Sequence, residues 1–599
     1  MGMKGVVMHG PARGLRLRRG AVVGSLIGIV CAAAVGASGA ESTGATLFYD
    51  AHVFTAEYDH PYAEAVAIRG DRIVAVGALA AVERAAAPIG HRVDLRGAFL
   101  MPGMIDAHVH PIMAGVTLIL ANFSNRSGSV PALVQDVAAE LKKHESMRGD
   151  VLIINSLSLN YWPHAAEIDA ALSHGPYAQQ PIVLVGSDGH TAWANEAARA
   201  RAGITQSFIS GLTPGERRYY GSDAQFNPNG FLVDEGKAKL DASMPPFSDD
   251  FMLRAGRAAV HYLNGLGITA WLDAAASGVI GGSAPLRVDD PGMLPVYRAL
   301  GLHGELTAHV AAYPVVKPDL GLQQVDVVEA LRAKYSGVPN LTIPGLKVFA
   351  DGVVEFPSQT AALTKPYSNS GRSTPLLFTP AKMNALVIAA VRRGLNVHVH
   401  AIGDLAVKAT LDAFEAARKA VPDSRLPLSI THAQFVDPED IPRFAQLRVL
   451  AVLQLLWAEE DPSTMENLKP YIDPSIYRWM YPARSILDTG GEIAGASDWF
   501  VSSPNPFWAM YVAETRTGPE GVLDPAQRMP RTAMLYAYTR NAAHALGQLD
   551  QIGSIAPGKR ADLVLVDHDL LTIPAEELKS TKVVWTMFGG RIIYGPAPQ

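Results

Sequence analysis

Apolar and polar positions alternate in short blocks along most of the chain, and the blocks fall into three regions. Near the start, TLFYDAHVFT and AEAVAIRGDRIVAVG read as strands; the alternation from Ala65 to Val76, broken at Gly70-Asp71, predicts a hairpin. The far end repeats this style with ADLVLVDHD and then STKVVWTMFGGRIIYG, which turns at Gly589-Gly590. The two β-rich ends predict one small β-sandwich domain built from residues 41–100 and 551–599.

Between them, strand-like apolar runs alternate with helix-patterned stretches such as Lys382 to Arg393 and Leu405 to Lys419. In order the runs are MIDAHVH, GITAWLDAAA, ELTAHVAAY, LKVFADG, NVHVHAIGD, LSITHAQ, VLAVLQLLWA and EIAGASDW. Eight strands with helical crossovers predict an α/β fold, a (β/α)8 TIM barrel over residues 101–550. The first and second runs lie too far apart for one connection. Residues 115–250, with their own strand signals DVLIINSL and PIVLVGSDGH, predict an insertion domain after the first barrel strand, placed as a lid.

Composition narrows the class. A chain of 599 residues with 48% hydrophobic residues and a net charge of -6 can bury a large core. It has no basic stripe, so nucleic acid is not an expected partner. The N-terminus differs from the rest. Arg13, Arg16, Arg18 and Arg19 precede an apolar run from Ala21 to Val35 and then small residues, the plan of a signal peptide over residues 1–40. That predicts export to the periplasm or medium, by a Sec or twin-arginine route, with no stable membrane anchor after cleavage. The one cysteine, Cys31, lies in this segment, which leaves the mature chain without disulfides or a thiolate metal site.

The polar residues on the barrel strands carry the chemistry. Side chains at i and i+2 of a strand share a face. Asp106, His108 and His110 therefore point one way on the first strand, and Lys347 and Asp351 on the fourth. The fifth strand offers His398 and His400, the sixth His432, and the eighth Asp498. Imidazoles, an amine and a carboxylate facing a barrel interior are costly unless a charge satisfies them. A divalent cation does so, since neutral His and ionised Asp ligate zinc and can leave a position open for water.

PGMIDAHVHP, HAIGD, THAQ and ASDW resemble the metal-dependent amidohydrolase superfamily. SDGHTAWAN, NPNGFLVDEG, YTRNAAHALG and IGSIAPGKRADLVLVD resemble its family 3 branch, which includes N-substituted formamide deformylases. The resemblance covers essentially the whole mature chain. It implies that His108 and His110 bind one metal, most simply zinc, and that His400 and His432 bind a second or assist a single one. It implies that Asp498 ligates metal and shuttles protons, and that Lys347, carboxylated, bridges two ions; Asp351 is the rival bridge. His190 would polarise the substrate carbonyl, Asp404 would orient His400 or cap the following helix, and His398 would be structural.

The resemblance further implies hydrolysis of a non-peptide C–N bond (amide, N-acyl or N-formyl) by metal-activated hydroxide, with His400, His190 and Asp498 in catalytic roles. The same chemistry on an ester, lactone, cyclic amide or aminated ring stays open, as does a non-catalytic metal-binding regulator and a homodimer. Trp457, Trp499 and Phe500, with Trp162 and His164 in the insertion, favour a small substrate with an apolar or aromatic group. Two stretches depart from the pattern: Gln454-Leu455-Leu456-Trp457, where relatives often carry Gln-Pro-x-His, and GVVEFPSQTAAL with Glu355 and Phe356.

Overall fold

The computed structural model describes residues 44–123, 128–186, 191–217, 219–233, 235–277, 286–289, 292–356 and 359–598. The expected signal peptide and Cys31 lie outside the described residues, as does His190. No helix among the described residues is long and apolar enough to cross a membrane.

Eight parallel strands run in chain order: β1 (Met104–Val109), β2 (Ile268–Asp273), β3 (His309–Ala312), β4 (Gly345–Phe349), β5 (Asn396–Ala401), β6 (Leu428–His432), β7 (Val449–Leu453) and β8 (Glu492–Gly495). β2 pairs with β1 and β3, and β4 through β8 pair each with the next. The two sets are joined at Lys347, whose N–H donates to the Pro314 carbonyl (2.9 Å) and whose carbonyl accepts from Val316 (2.9 Å). Beyond β8, the Asp498 N–H returns to the His108 carbonyl at 2.8 Å. Every residue of β1, β2, β5, β6 and β7 is buried, as expected of parallel strands covered on both faces.

Flanking helices supply the cover. Pro380–Arg392 starts where Thr379 accepts a hydrogen bond from the Lys382 N–H, with proline in the first turn. Asp404–Ala420 ends with Arg418 and Lys419 at its negative pole. Their apolar stripes bring Leu386, Val407, Leu411 and Phe414 into one core with Val348, Val397, Val399 and Ile430 of the strands. Each such side chain contributes about 1.5–3 kcal/mol on burial.

Both chain ends join one sheet. Ile89–Pro102 pairs in parallel with Ala45–Phe54 and antiparallel with Leu563–Val566, which continues to Val583–Phe588 and Arg591–Tyr594. The hairpins turn at Gly70 (φ 59°) and at Gly589-Gly590 (φ 55° and 75°), conformations that favour glycine. A further sheet lies within 121–233 of the chain. It includes the expected strands Val151–Leu157 and Ile182–Gly186, together with Thr191–Ala194 and Pro228–Val233.

Helix Pro111–Ile119 crosses Asp249–Gly265 at Gly115, where a Cβ would meet the Ala255 carbonyl oxygen at 2.0 Å. The partner atom is backbone, so the helices must separate to admit a methyl group. Gly115→Ala should therefore lower stability by about 1–3 kcal/mol, read as a lower unfolding midpoint in denaturant.

Candidate metal centre

The first strand ends one residue earlier than its alternation suggests. β1 stops at Val109, because Pro111 opens a helix and leaves His110 as its N-cap residue. His110 is nevertheless brought to the same place as His108. Its N–H donates to the Trp499 carbonyl (2.8 Å), and its Nε2 lies 3.0 Å from Asp498 Oδ1. His108 Nε2 lies 3.3 Å from the same oxygen. His108, His110 and Asp498 thus present three ligand atoms within 4.8 Å of one another, all from buried residues.

Asp498 sits three residues past β8 with φ 56°, and His432, the last residue of β6, has φ 72°. Non-glycine residues in the left-handed region are strained, and such strain collects at functional sites. The His432 ring lies 4.5 Å from His400 and 5.1 Å from His108, both near edge-to-face, and stacks parallel to Trp457 at 5.9 Å. His398 Nε2 touches His108 Nδ1 at 2.7 Å. Lys347 is fully buried.

Four polar atoms here are buried with no hydrogen-bond partner: His110 Nδ1, His432 Nδ1, Lys347 Nζ and Asp498 Oδ1. A buried polar atom left unpaired costs about 1–3 kcal/mol. Asp498 Oδ1, which both imidazole Nε2 atoms face, suits a site whose partner is a cation, and the three nitrogens mark a polar space around it. The donor set fits a divalent metal.

The electrostatics agree. Burial, reinforced by Lys347, pushes His400 down to about 3 and holds His108 well below the usual imidazole range. Burial and the neighbouring His400 do the same for His432. All three are neutral, the form that ligates. Burial pushes Lys347 down to about 7 against the opposing pull of Asp498. At Asp498 burial acts upward, but the His110 contact and the nearby His432 and Lys347 outweigh it, leaving the carboxyl below its ordinary value.

The remaining carboxylates are saturated from within. Asp351 accepts from the amides of Ile402 (3.0 Å), Gly403 (2.9 Å) and Ala362 (2.9 Å), so its oxygens fix the β4–β5 loops. Asp404 does not bond His400. It accepts from Thr364 through both the amide and the hydroxyl, and from the Leu405 N–H in the first helical turn. His400 Nε2 instead faces the Gly352 carbonyl at 2.9 Å. Asp106, on the same strand face as His108, has Ser497 as its partner. Asp106 accepts from Ser497 Oγ (2.5 Å), the Ser497 N–H and the His108 N–H (both 3.1 Å), tying β1 to the loop that carries Asp498. Burial raises the Asp106 carboxyl to about 7 against those bonds.

Of the expected aromatics, Trp457 stacks on His432, and Phe500 lies 6.3 Å from the His110 ring. Trp499 packs on Tyr262, Trp162 on Phe231, and Phe356 on Tyr471. His164 is exposed beside Glu167 and is not gathered to the histidines.

The amidohydrolase family model matches residues 92–594. The chain belongs to the amidohydrolase family. It is 26% identical over 577 residues to the N-substituted formamide deformylase of Arthrobacter pascens, covering 92% of this chain and 98% of that protein. It is also 26% identical over 566 residues to Protein LONG AFTER FAR-RED 3 of Arabidopsis thaliana, covering 90% of each. The fold matches that of an uncharacterized metal-dependent hydrolase from Pyrococcus horikoshii, with a TM-score of 0.70 and 20% identity over 89% of this chain and 99% of that one. Membership makes this amidohydrolase a metal-dependent hydrolase acting on C–N bonds.

Asp106→Ala leaves the Ser497 hydroxyl and two buried amides unpaired. It should cost about 1–3 kcal/mol and lower the metal content of purified protein, measured by thermal unfolding and elemental analysis.

Proposed function

We propose that this protein is an exported hydrolase of a small non-peptide amide, N-acyl or N-formyl compound bearing an apolar or aromatic group, and that its catalytic face is the C-terminal end of a (β/α)8 barrel. In this reading β1–β8 form the barrel, residues 115–250 an insertion beside it, and the terminal sheet a small appended domain. The observation that carries the proposal is the convergence of His108, His110 and Asp498 within ligating distance, surrounded by buried polar atoms that lack partners.

His108 and His110 would hold a divalent ion, zinc being the simplest choice for a nitrogen and oxygen donor set. His400 and His432, from neighbouring strands, would complete the site for that ion or a second. When bound, the metal makes a water acidic near neutrality and polarises a carbonyl. Asp498 accepts the proton of the attacking water and returns it to the departing nitrogen, which needs a carboxylate kept ionised beside the site. Trp457 and Phe500 flank the histidines and would seat the apolar group of the substrate. His190 remains the proposed carbonyl donor. The relative named as a formamide deformylase supports an amide over an ester, and the retained Asp498 supports turnover over binding alone.

Removal of metal with a chelator should abolish hydrolysis of an amide panel, and re-addition should restore it. Asp498→Asn should lower kcat about 10²–10⁴-fold; equal turnover by the variant would overturn the assignment. Trp457→Ala should raise KM for aromatic amides more than for small aliphatic ones, about 10-fold, a loss of about 1.4 kcal/mol, in steady-state comparisons of the two substrate sets.

A further inference from the structure

His398 stands outside the group that could close on a metal, yet it is the residue most directly bonded to one of its members. Sheet register accounts for the contact. On β5, His398 lies opposite Lys347 of β4 and opposite Ser429 of β6. Its Nδ1 lies 2.7 Å from Ser429 Oγ, and its Nε2 lies 2.7 Å from His108 Nδ1. His398 is fully buried and Ser429 is 3% exposed. A three-membered chain thus runs Ser429 Oγ, His398, His108, and ends at His108 Nε2, 3.3 Å from Asp498 Oδ1.

Each link holds one hydrogen, and neutral imidazole carries one N–H. Two directions are therefore available with the same number of protons. In one, Ser429 O–H donates to His398 Nδ1, His398 Nε2–H donates to His108 Nδ1, and His108 Nε2–H donates to Asp498. In the other, His108 Nδ1–H donates to His398 Nε2, and His398 Nδ1–H donates to Ser429 Oγ. Only the second leaves a lone pair on His108 Nε2, the atom that faces Asp498 and His110. A ligating histidine needs its other ring nitrogen to donate to an acceptor, and removing that acceptor typically weakens metal affinity 10–100-fold.

We propose that His398 and Ser429 are positioning residues that hold His108 in its Nδ1–H tautomer, so that Nε2 is free to bind the cation. The proposal rests on the metal-centre reading above and extends it to an acceptor that is itself an imidazole, oriented by a serine one strand away. His398 serves as acceptor only while Ser429 takes its own N–H. The serine therefore acts two residues removed from the metal.

The test measures metal affinity by competition with a chromophoric chelator, alongside imidazole 15N shifts of the full-length protein with and without zinc. Ser429→Ala and His398→Leu should each weaken zinc binding at least tenfold and shift His108 towards the Nε2–H tautomer. His398→Gln, which keeps an acceptor at the Nε2 position, should retain more affinity than His398→Leu. Circular dichroism identifies any variant that fails to fold, and Ser429→Ala removes only a hydroxyl. Wild-type affinity and an unchanged His108 tautomer in folded Ser429→Ala would overturn the relay while leaving the metal centre intact. Failure of the wild-type protein to bind any divalent metal would overturn both.

Discussion

One carboxylate oxygen meeting two imidazoles in a buried space is the contact on which the rest of this molecule depends. Asp498 Oδ1 lies within 3.3 Å of both His108 and His110, and nothing else among the described residues satisfies it. Around it, Lys347 Nζ and the Nδ1 atoms of His110 and His432 are likewise without partners. A folded protein does not ordinarily keep four buried polar atoms unpaired in one place. Left alone, they oppose folding; a cation held between the Nε2 atoms and Asp498 would relieve the carboxylate oxygen. The left-handed backbone at His432 and Asp498 adds to the cost.

What holds that arrangement is a division of labour among carboxylates. Asp106 and Asp351 are fully engaged with backbone amides and a serine hydroxyl, and burial raises both to about 7. Asp351 Oδ1 still lies 3.7 Å from His400 Nε2, but the hydrogen bonds of both carboxylates go to amides and the serine hydroxyl. They act as pins, Asp106 between β1 and the loop after β8, Asp351 between β4 and the loop after β5. Asp498 is the opposite case, with few hydrogen bonds to its side chain and a carboxyl kept below its usual value by surrounding nitrogen. Burial alone does not decide a carboxylate's role here. The partners do.

The parallel strands were legible because fully buried strands leave a sequence signature of apolar runs punctuated by helices, and all eight expected runs contain an observed strand. The histidines were legible because imidazoles are conspicuous against valine and alanine, as in NVHVHAIGD. Period-two reasoning placed His108 correctly but carried β1 to His110, where proline had already ended the strand. Asp404 was expected to orient His400 or to cap the following helix, and only its place in the first helical turn agrees. Its partner, Thr364, sits 40 positions away in a loop, and no local pattern connects the two. The pairing of Asp106 with Ser497, 391 positions apart, is hidden for the same reason. Register between strands gave the Ser429–His398 contact, which depends on strand alignment that one sequence does not disclose.

The charge of Lys347 conflicts with these contacts. As an ammonium it would face a cation site with no carboxylate bonded to it, for Asp351 is taken up by amides and Asp498 is turned to the imidazoles. Burial resolves the conflict by pushing the amine down to about 7, so a large share is unprotonated at neutral pH. A free amine is the form that adds carbon dioxide: the N–C bond forms, one N–H proton leaves, and the product carries one negative charge shared by two oxygens. Desolvation thus penalises the ammonium and favours the neutral amine, the form of this side chain with no charge to bury. Asp351, on the same strand, is held differently: turning its oxygens away would strand three buried amides.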